Sequence, residues 1–243
     1  MKNILTVIPA RFASTRFPGK PLVEINGEPM VWQVYLRAVE AGLQHVFVAT
    51  DDMRIFDVVT SRGGKAIMTA SSHLSGTDRC GEVLRILNKN NQHFDFVINL
   101  QGDEPFVQPQ QLKLLAEGLE KGKVTTMVKK IEKEEQLQNS NVVKAVWSKK
   151  TAEALYFSRY PIPFLRSGEA PLAKHDFYKH IGLYGFDASL LLELVKLQPS
   201  SLELAESLEQ LRWLENGFKI KVLETPFETV GIDRPEDLVN LDI

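Results

Sequence analysis

Cysteine occurs once in this chain, at Cys80, so neither an intrachain disulfide framework nor a cysteine cluster for structural zinc is available. Such usage fits a reducing compartment. Long apolar runs are missing as well: none approaches the roughly 20 residues a membrane-spanning helix needs, and "MKNILTVIPA" offers about six apolar residues before a proline, too few for a secretory signal core. The expected location is the cytoplasm. The formal charge is only −2 over 243 residues, which gives no overall attraction to nucleic acid or to an anionic membrane, so any anion site has to be local. Several catalytic signatures are absent. GxxxxGK[ST] and GxGxxG do not occur, which argues against a Walker loop and a nicotinamide dehydrogenase; GxSxG and HExxH are missing, and His45, His73, His93 and His175 lack metal-ligand spacing.

What is present reads as α/β. Buried strands are expected at Asn3 to Ile8, His45 to Thr50, Lys65 to Thr69 and Phe94 to Leu100, short runs rich in β-branched and aromatic residues. Helices are expected between them: Met30 to Ala41, with Val31, Val34, Tyr35 and Ala38 on one stripe; Asp52 to Ser61, opening on an aspartate cap; and Thr77 to Asn88. Alternation of buried strands with helices predicts a mainly parallel central sheet covered on both faces. After Val124 the strand-like runs alternate more, which predicts a smaller mixed or antiparallel extension over about 124–190. Arg166 to Asp176 lacks periodicity and reads as a mobile loop; helices near Ala188 to Leu197 and Leu204 to Asn216, a strand near Lys219 to Leu223 and a short helix after Pro235 complete one expected unit, 1–243.

In parallel sheets ligands bind beyond the carboxyl ends of the strands, so the loops there carry the chemistry. "PARFASTRFPGKPL" places Arg11, Arg16 and Lys20 in a segment punctuated by proline and glycine. Forked guanidinium contacts and a compact ammonium suit a multiply charged anion such as a triphosphate, although a solvated turn accounts for the same composition. "LQGDEP" puts Asp103 after a strand and a glycine that permits close backbone approach to a ligand; a carboxylate there suits Mg²⁺ between phosphate oxygens, or a simple turn. Asp233, in "GIDRPEDL", reads equally as a second metal carboxylate or a helix cap. "SGTDR" offers a helix N-terminus and Arg79 to a polar ligand, while Ser75 and Thr77 also fit plain capping.

In "LAESLEQLRWLENG" a continuous helix would place Leu204, Leu208, Leu211 and Leu214 on the core stripe, with Glu206, Glu209, Gln210 and Trp213 opposite. Glu209 and Gln210 become ligand candidates if that face borders a cleft. His180 and Tyr184, four apart on a strand, share a face and can reach a substrate together, unless His180 is structural.

Taken in order, "IPARFASTRFPGKPL", "VATDD", "SGTDR", "LQGDEP", "ALYFSR", "YKHIGLYGF", "LEQLR" and "VGIDRPEDL" closely resemble the 3-deoxy-manno-octulosonate cytidylyltransferases. The resemblance spans nearly the whole chain. It implies a Rossmann-like nucleotidyltransferase fold, a homodimer, Mg²⁺ as one or two ions, and transfer of CMP from CTP to the acid sugar Kdo, with pyrophosphate released, for lipopolysaccharide biosynthesis. By the same resemblance Arg11, Ser14, Arg16, Lys20, Arg79 and Gln101 face CTP, with Arg16, Lys20, Asp103 and Asp233 catalytic. Asp103 and Asp233 match the metal carboxylates; Gln101, Arg159, His180, Tyr184, Glu209 and Gln210 match the sugar side, and 124–190 the acceptor and dimer region. "RYPIPFLRSGEAPLAKHD" departs from the pattern, which leaves transfer to 8-amino-Kdo or another acid sugar as the alternative, with a non-catalytic nucleotide-binding protein as the rival outside enzymes.

Overall fold

A computed structural model describes residues 2–13, 17–166 and 171–239. Its strands in chain order are β1 (Ile4–Ala10), β2 (Glu24–Ile25), β3 (Glu28–Pro29), β4 (His45–Thr50), β5 (Ala66–Met68), β6 (Phe96–Asn99), β7 (Val124–Lys130), β8 (Lys144–Ser148), β9 (Glu153–Ser158), β10 (Tyr178–Asp187) and β11 (Ile220–Glu224). Except for the small β2–β3 ribbon they form one sheet, in the order β5-β4-β1-β6-β10-β7-β11-β9-β8. The pairings β4–β5, β1–β4 and β1–β6 are parallel, as the alternating sequence texture predicts. Beyond β6 the sheet turns mixed: β10 runs antiparallel to β6 and β7, whereas β11 runs parallel to β7. The expected extension is therefore part of the same sheet, and β8 curls back far enough to pair with β10 at Lys144 and Lys179.

Alternate residues of the central strands feed two separate cores. Leu5, Val7 and Val97 pack with Cys80, Val83 and Leu84 of α3 (Gly76–Lys89) and with Leu190 and Leu191 of α7 (Ala188–Leu194). Ile8, Ala10 and Ile98 pack on the other face, against α1 (Met30–Glu40), α2 (Met53–Ser61) and α4 (Pro109–Gly118). Burial of strands on both faces explains why they read as unbroken apolar runs. The α1 stripe Val31, Val34, Tyr35 and Ala38 lies wholly in this second core, and the Asp52 carboxylate caps α2 by accepting from the Arg54 N–H at 2.9 Å.

Two expectations need correction, and one helix was not anticipated. The helix expected over Leu204 to Asn216 is two helices, α8 (Ser201–Glu206) and α9 (Glu209–Glu215), separated by Ser207 in the left-handed region at φ 54°. Rotation at that break leaves Leu204 68% exposed while Gln210 and Trp213, assigned to the outer face, are 4% and 1% exposed. The break exists because β9 captures the end of α8: the Glu206 carboxylate accepts from Ser158 Oγ at 2.6 Å and the Arg159 N–H at 2.9 Å. The aperiodic stretch before Phe177 contains a helical turn, α6 (Pro171–Lys174), which follows the short α5 (Glu134–Gln138) in chain order, and its residues 167–170 lie outside the described residues. Finally, α4 carries too little amphipathic pattern to have been singled out; Pro109 at its start and a reciprocal Gln108–Gln111 capping box define it instead.

Candidate active site

The order β5-β4-β1-β6 reverses direction between β1 and β6, and at such a switch point the loops diverge to opposite faces and leave a crevice. A cavity of about 200 Å³ occupies it, lined by Arg11, Lys20, Arg79, Gln101, Asp103 and Asp233 together with Ser75 and Gly76. Residues singled out from sequence thus converge from three loops and the start of α3. Ser14 and Arg16 lie outside the described residues.

Local chemistry explains each placement. Gly19, at φ 73°, adopts a turn that side-chain-bearing residues disfavour and donates its N–H to the Phe12 carbonyl at 3.0 Å. The chain then enters a single 3₁₀ turn at Lys20–Leu22, anchored by buried Pro21. This aims Lys20 inward. Its ammonium, on a side chain 13% exposed, lies 2.7 Å from Asp103 Oδ2 and 3.3 Å from Asp233 Oδ1. Asp233 comes from the opposite end of the chain, ahead of α10 (Pro235–Val239), whose Asp237 carboxylate accepts from the N–H groups of Asp233 and Arg234 at 2.8 Å.

Gly102 lines the cavity, and its missing side chain has a structural reason beside the ligand approach that the sequence suggests. A Cβ there would stand 2.6 Å from the Pro9 carbonyl oxygen, so the missing side chain lets the loop close against β1 and hold Gln101 and Asp103 at the cavity wall. The α3 N-terminus beside them is closed by a reciprocal Ser75–Asp78 capping box, so Ser75 caps the helix and also lines the cavity. Arg79 is buried, donating to Thr69 Oγ1 at 2.5 Å and to Asp51 Oδ2 at 3.3 Å while remaining on the cavity wall.

A second, wider cleft of about 1360 Å³ adjoins the first and shares Asp233 with it; Glu104, Arg159, Lys179, His180 and Arg234 also line it. Arg159 directs three guanidinium nitrogens to backbone carbonyls, Glu206 at 2.7 Å, Ser140 at 3.2 Å and Ser207 at 3.3 Å, and so clamps the α8–α9 junction. His180 pairs with Thr126 Oγ1 at 2.9 Å, and burial lowers its pKa to about 3, so it is a neutral imidazole. Tyr184 shares its face, the ring centroids 5.3 Å apart, but packs into an aromatic cluster with Phe186 and Trp213. Burial also raises the Tyr184 pKa far above its ordinary value. Glu209 accepts from Thr77 Oγ1 at 2.9 Å, pinning α9 to the first turn of α3, and its own pKa is raised by burial. Buried Gln210 follows it, with Nε2 lacking a partner among the described residues.

Glu104 and Lys179 escaped the sequence reading. Glu104 was legible only as the neighbour of Asp103 in "GDEP", and Lys179 as the residue before His180. Burial, reinforced by the Asp103 charge, pushes the Glu104 carboxyl up to about 8; its Oε2 is buried with no partner among the described residues. Burial and the neighbouring Lys129 bring Lys179 down to about 8.

The donor set suits a hard cation. Two carboxylates share one ammonium, and Mg²⁺ is usually held by one or two carboxylates plus substrate oxygens. No group of three or more His, Cys, Asp or Glu among the described residues is placed to hold a metal by itself.

A switch-point crevice that gathers cations, carboxylates and a helix N-terminus defines a Rossmann-like nucleotidyltransferase. The cytidylyltransferase family model matches residues 5–220. A 3-deoxy-manno-octulosonate cytidylyltransferase of Cytophaga hutchinsonii is 51% identical, across 98% of this chain and 96% of the relative; one of Thermodesulfovibrio yellowstonii is 50% identical, across 96% and 94%. Among solved structures, a CMP:2-keto-3-deoxy-manno-octonic acid synthetase complexed with CTP superposes with a TM-score of 0.89 at 40% identity, covering 98% of this chain and 96% of the other. A 4-diphosphocytidyl-2C-methyl-D-erythritol synthase of Anaerococcus prevotii shares the fold alone, with a TM-score of 0.61 at 17% identity over 98% and 95% of the two chains. The chain belongs to the cytidylyltransferase family.

Proposed function

We propose that this protein is a 3-deoxy-manno-octulosonate cytidylyltransferase: it transfers CMP from CTP to Kdo, releasing pyrophosphate and supplying the activated sugar for lipopolysaccharide assembly. The observation that carries the reading is the convergence of Lys20, Asp103 and Asp233 between two adjoining clefts, one for the nucleotide and one for the acceptor.

The anomeric hydroxyl of the sugar gives up its proton to solvent as its oxygen bonds to the α-phosphorus of CTP and the bond from that phosphorus to the bridging oxygen breaks, so that pyrophosphate leaves. The protein forms no covalent intermediate; it positions the reactants and neutralises the charge that builds on the phosphate oxygens. Lys20, with Arg11 and Arg16, grips the triphosphate and stabilises departing pyrophosphate. Ser14, Arg79 and Gln101 complete the nucleotide side. Asp103 and Asp233 would hold Mg²⁺, as one or two ions, which supplies charge neutralisation between the phosphate oxygens. The Lys20 ammonium already sits between these carboxylates, so it exchanges carboxylate for phosphate contacts when CTP enters.

On the acceptor side, Arg159 holds the cleft wall in shape and neutral His180 offers a hydrogen bond, with Tyr184, Glu209 and Gln210 behind them. The region 124–190 forms this wall and, through the exposed Leu155, Tyr160 and Phe164, the surface for a homodimer. No described helix is long and apolar enough to cross a membrane; the consumption of CTP supports a cytoplasmic location. The substrate is tested by following CMP-sugar formation with Kdo, 8-amino-Kdo and a nine-carbon sialic acid at constant CTP. Kdo is expected to give the highest kcat/KM; preference for another sugar overturns the assignment.

A further inference from the structure

Lys20, Asp103 and Asp233 come from three distant parts of the chain, and one small apolar cluster, set apart from the two main cores, has a member beside each of them. Its buried members are Ile25, Met30 and Ile232. Phe17 and Val23 pack on these from either side of Lys20, and Phe106 from just beyond Asp103. Ile232 directly precedes Asp233, and Leu238 of α10 covers the cluster from beyond it. Residues 225–234 form neither helix nor strand, so no sheet register sets where Asp233 stands.

Two anchors act at Ile232 instead. Its side chain is fully buried in the cluster, and its N–H donates to the Asp103 carbonyl at 2.9 Å, which bonds the backbone beside one carboxylate directly to the residue carrying the other. The neighbouring contacts do not supply the same hold. The Lys20–Asp233 pair, at 3.3 Å on a carboxylate 52% exposed, is screened by solvent. Asp237 accepts from the N–H groups of Asp233 and Arg234 within the same segment, which shapes the turn without tying it to the sheet. Glu228 pairs with Lys179 four residues upstream. We infer that Ile232 is the positioning residue that sets the Asp233 carboxylate opposite Asp103 and Lys20, with the apolar cluster as the common mount of the three segments. The inference rests on the proposed activity and adds the residue that fixes its geometry. A displacement of about 1 Å at reacting groups costs up to about a hundredfold in rate, so a gap under Asp233 is read out as lost turnover.

The test compares Ile232→Ala and Ile232→Val with Ile220→Ala. Ile220 is equally buried but lies in the other core at the start of β11, level with the start of β7 and so at the opposite ends of the parallel strands from the crevice. Readouts are pyrophosphate release below every Tm, and calorimetric CTP affinity without sugar, measured with Mg²⁺ and with EDTA. Ile232→Ala is expected to lower kcat by about 10- to 100-fold with the Kdo KM within about twofold, and to lose most of the CTP affinity that Mg²⁺ adds. Ile232→Val should keep both within about threefold, and Ile220→Ala should keep both despite a comparable fall in Tm. If Ile232→Ala does not fold, Leu238→Ala decides, with about a three- to tenfold lower kcat and a weakened Mg²⁺ effect expected. Wild-type kcat and Mg²⁺-dependent affinity in Ile232→Ala, or in Leu238→Ala where that variant decides, overturn the inference, as does an equal loss of kcat in Ile220→Ala. If the wild type turns over CTP with Kdo and these arms fail, the inference falls alone. If the wild type binds CTP without acting on Kdo, the proposed activity falls and the affinities still decide the inference.

Discussion

Replacing Lys20 by Met separates catalytic from structural roles, because the two effects have very different sizes. The ammonium touches Asp103, 33% exposed, and Asp233, 52% exposed. Ion pairs that reach solvent to this extent are screened, and each is worth under about 1 kcal/mol to folding. For a chain of 243 residues, losing about 1 kcal/mol lowers Tm by roughly 2–4 °C. In the proposed reaction the same group would face charge developing on pyrophosphate inside a cleft. A sheltered donor of that kind contributes about 3 kcal/mol to the transition state, roughly a hundredfold in rate. The expected variant is therefore nearly as stable as the wild type and about a hundredfold slower in kcat at saturating CTP, Kdo and Mg²⁺. Pyrophosphate release gives the rate, and calorimetry gives Tm. A variant within about threefold of wild-type kcat would refute the assignment of Lys20 to the leaving group, and one that unfolds would show that the carboxylate pair was misjudged.

Two further predictions follow from packing and burial. Gly102→Ala forces a Cβ toward the Pro9 carbonyl at 2.6 Å, so it should lose about 1–3 kcal/mol of stability and, by shifting Gln101 and Asp103, at least about tenfold in rate; a variant with wild-type Tm and rate contradicts this. His180 has its folded pKa lowered to about 3, against about 6.5 in the unfolded chain, so its contribution to stability is complete above pH 6.5 and is lost as pH falls toward 3. Between pH 7.5 and 5 this amounts to about 2 kcal/mol, and His180→Gln should flatten that acid limb in Tm measurements; an unchanged slope refutes the buried neutral imidazole.

Much of the central fold was readable because its strands are buried on both faces and its helices carry single stripes: Val31, Val34, Tyr35 and Ala38 all lie in one core. The rule that ligands bind beyond the carboxyl ends of parallel strands selected loops that the structure brings together around one cavity. What local pattern hides are decisions made by distant partners. The break at Ser207 depends on Glu206 being drawn to Ser158 and Arg159 of another strand. Asp233 meets Lys20 across a separation that no spacing rule encodes. Lys179 meets Lys129 and Lys144 only through the register of β7, β8 and β10, which no local pattern announces. Gly102 was legible as a close-approach glycine; that the Pro9 carbonyl of β1 also demands a missing side chain there was not.

The central claim is that the crevice between β1 and β6 binds CTP and directs it at an acid sugar in the adjoining cleft. The most direct test is initial-rate pyrophosphate release from CTP, UTP, ATP and GTP, each with and without Kdo, at fixed Mg²⁺. The account predicts release that requires both CTP and Kdo, with the other nucleotides far slower. Release without the sugar, equal use of the four nucleotides, or no release with CTP and Kdo would contradict it.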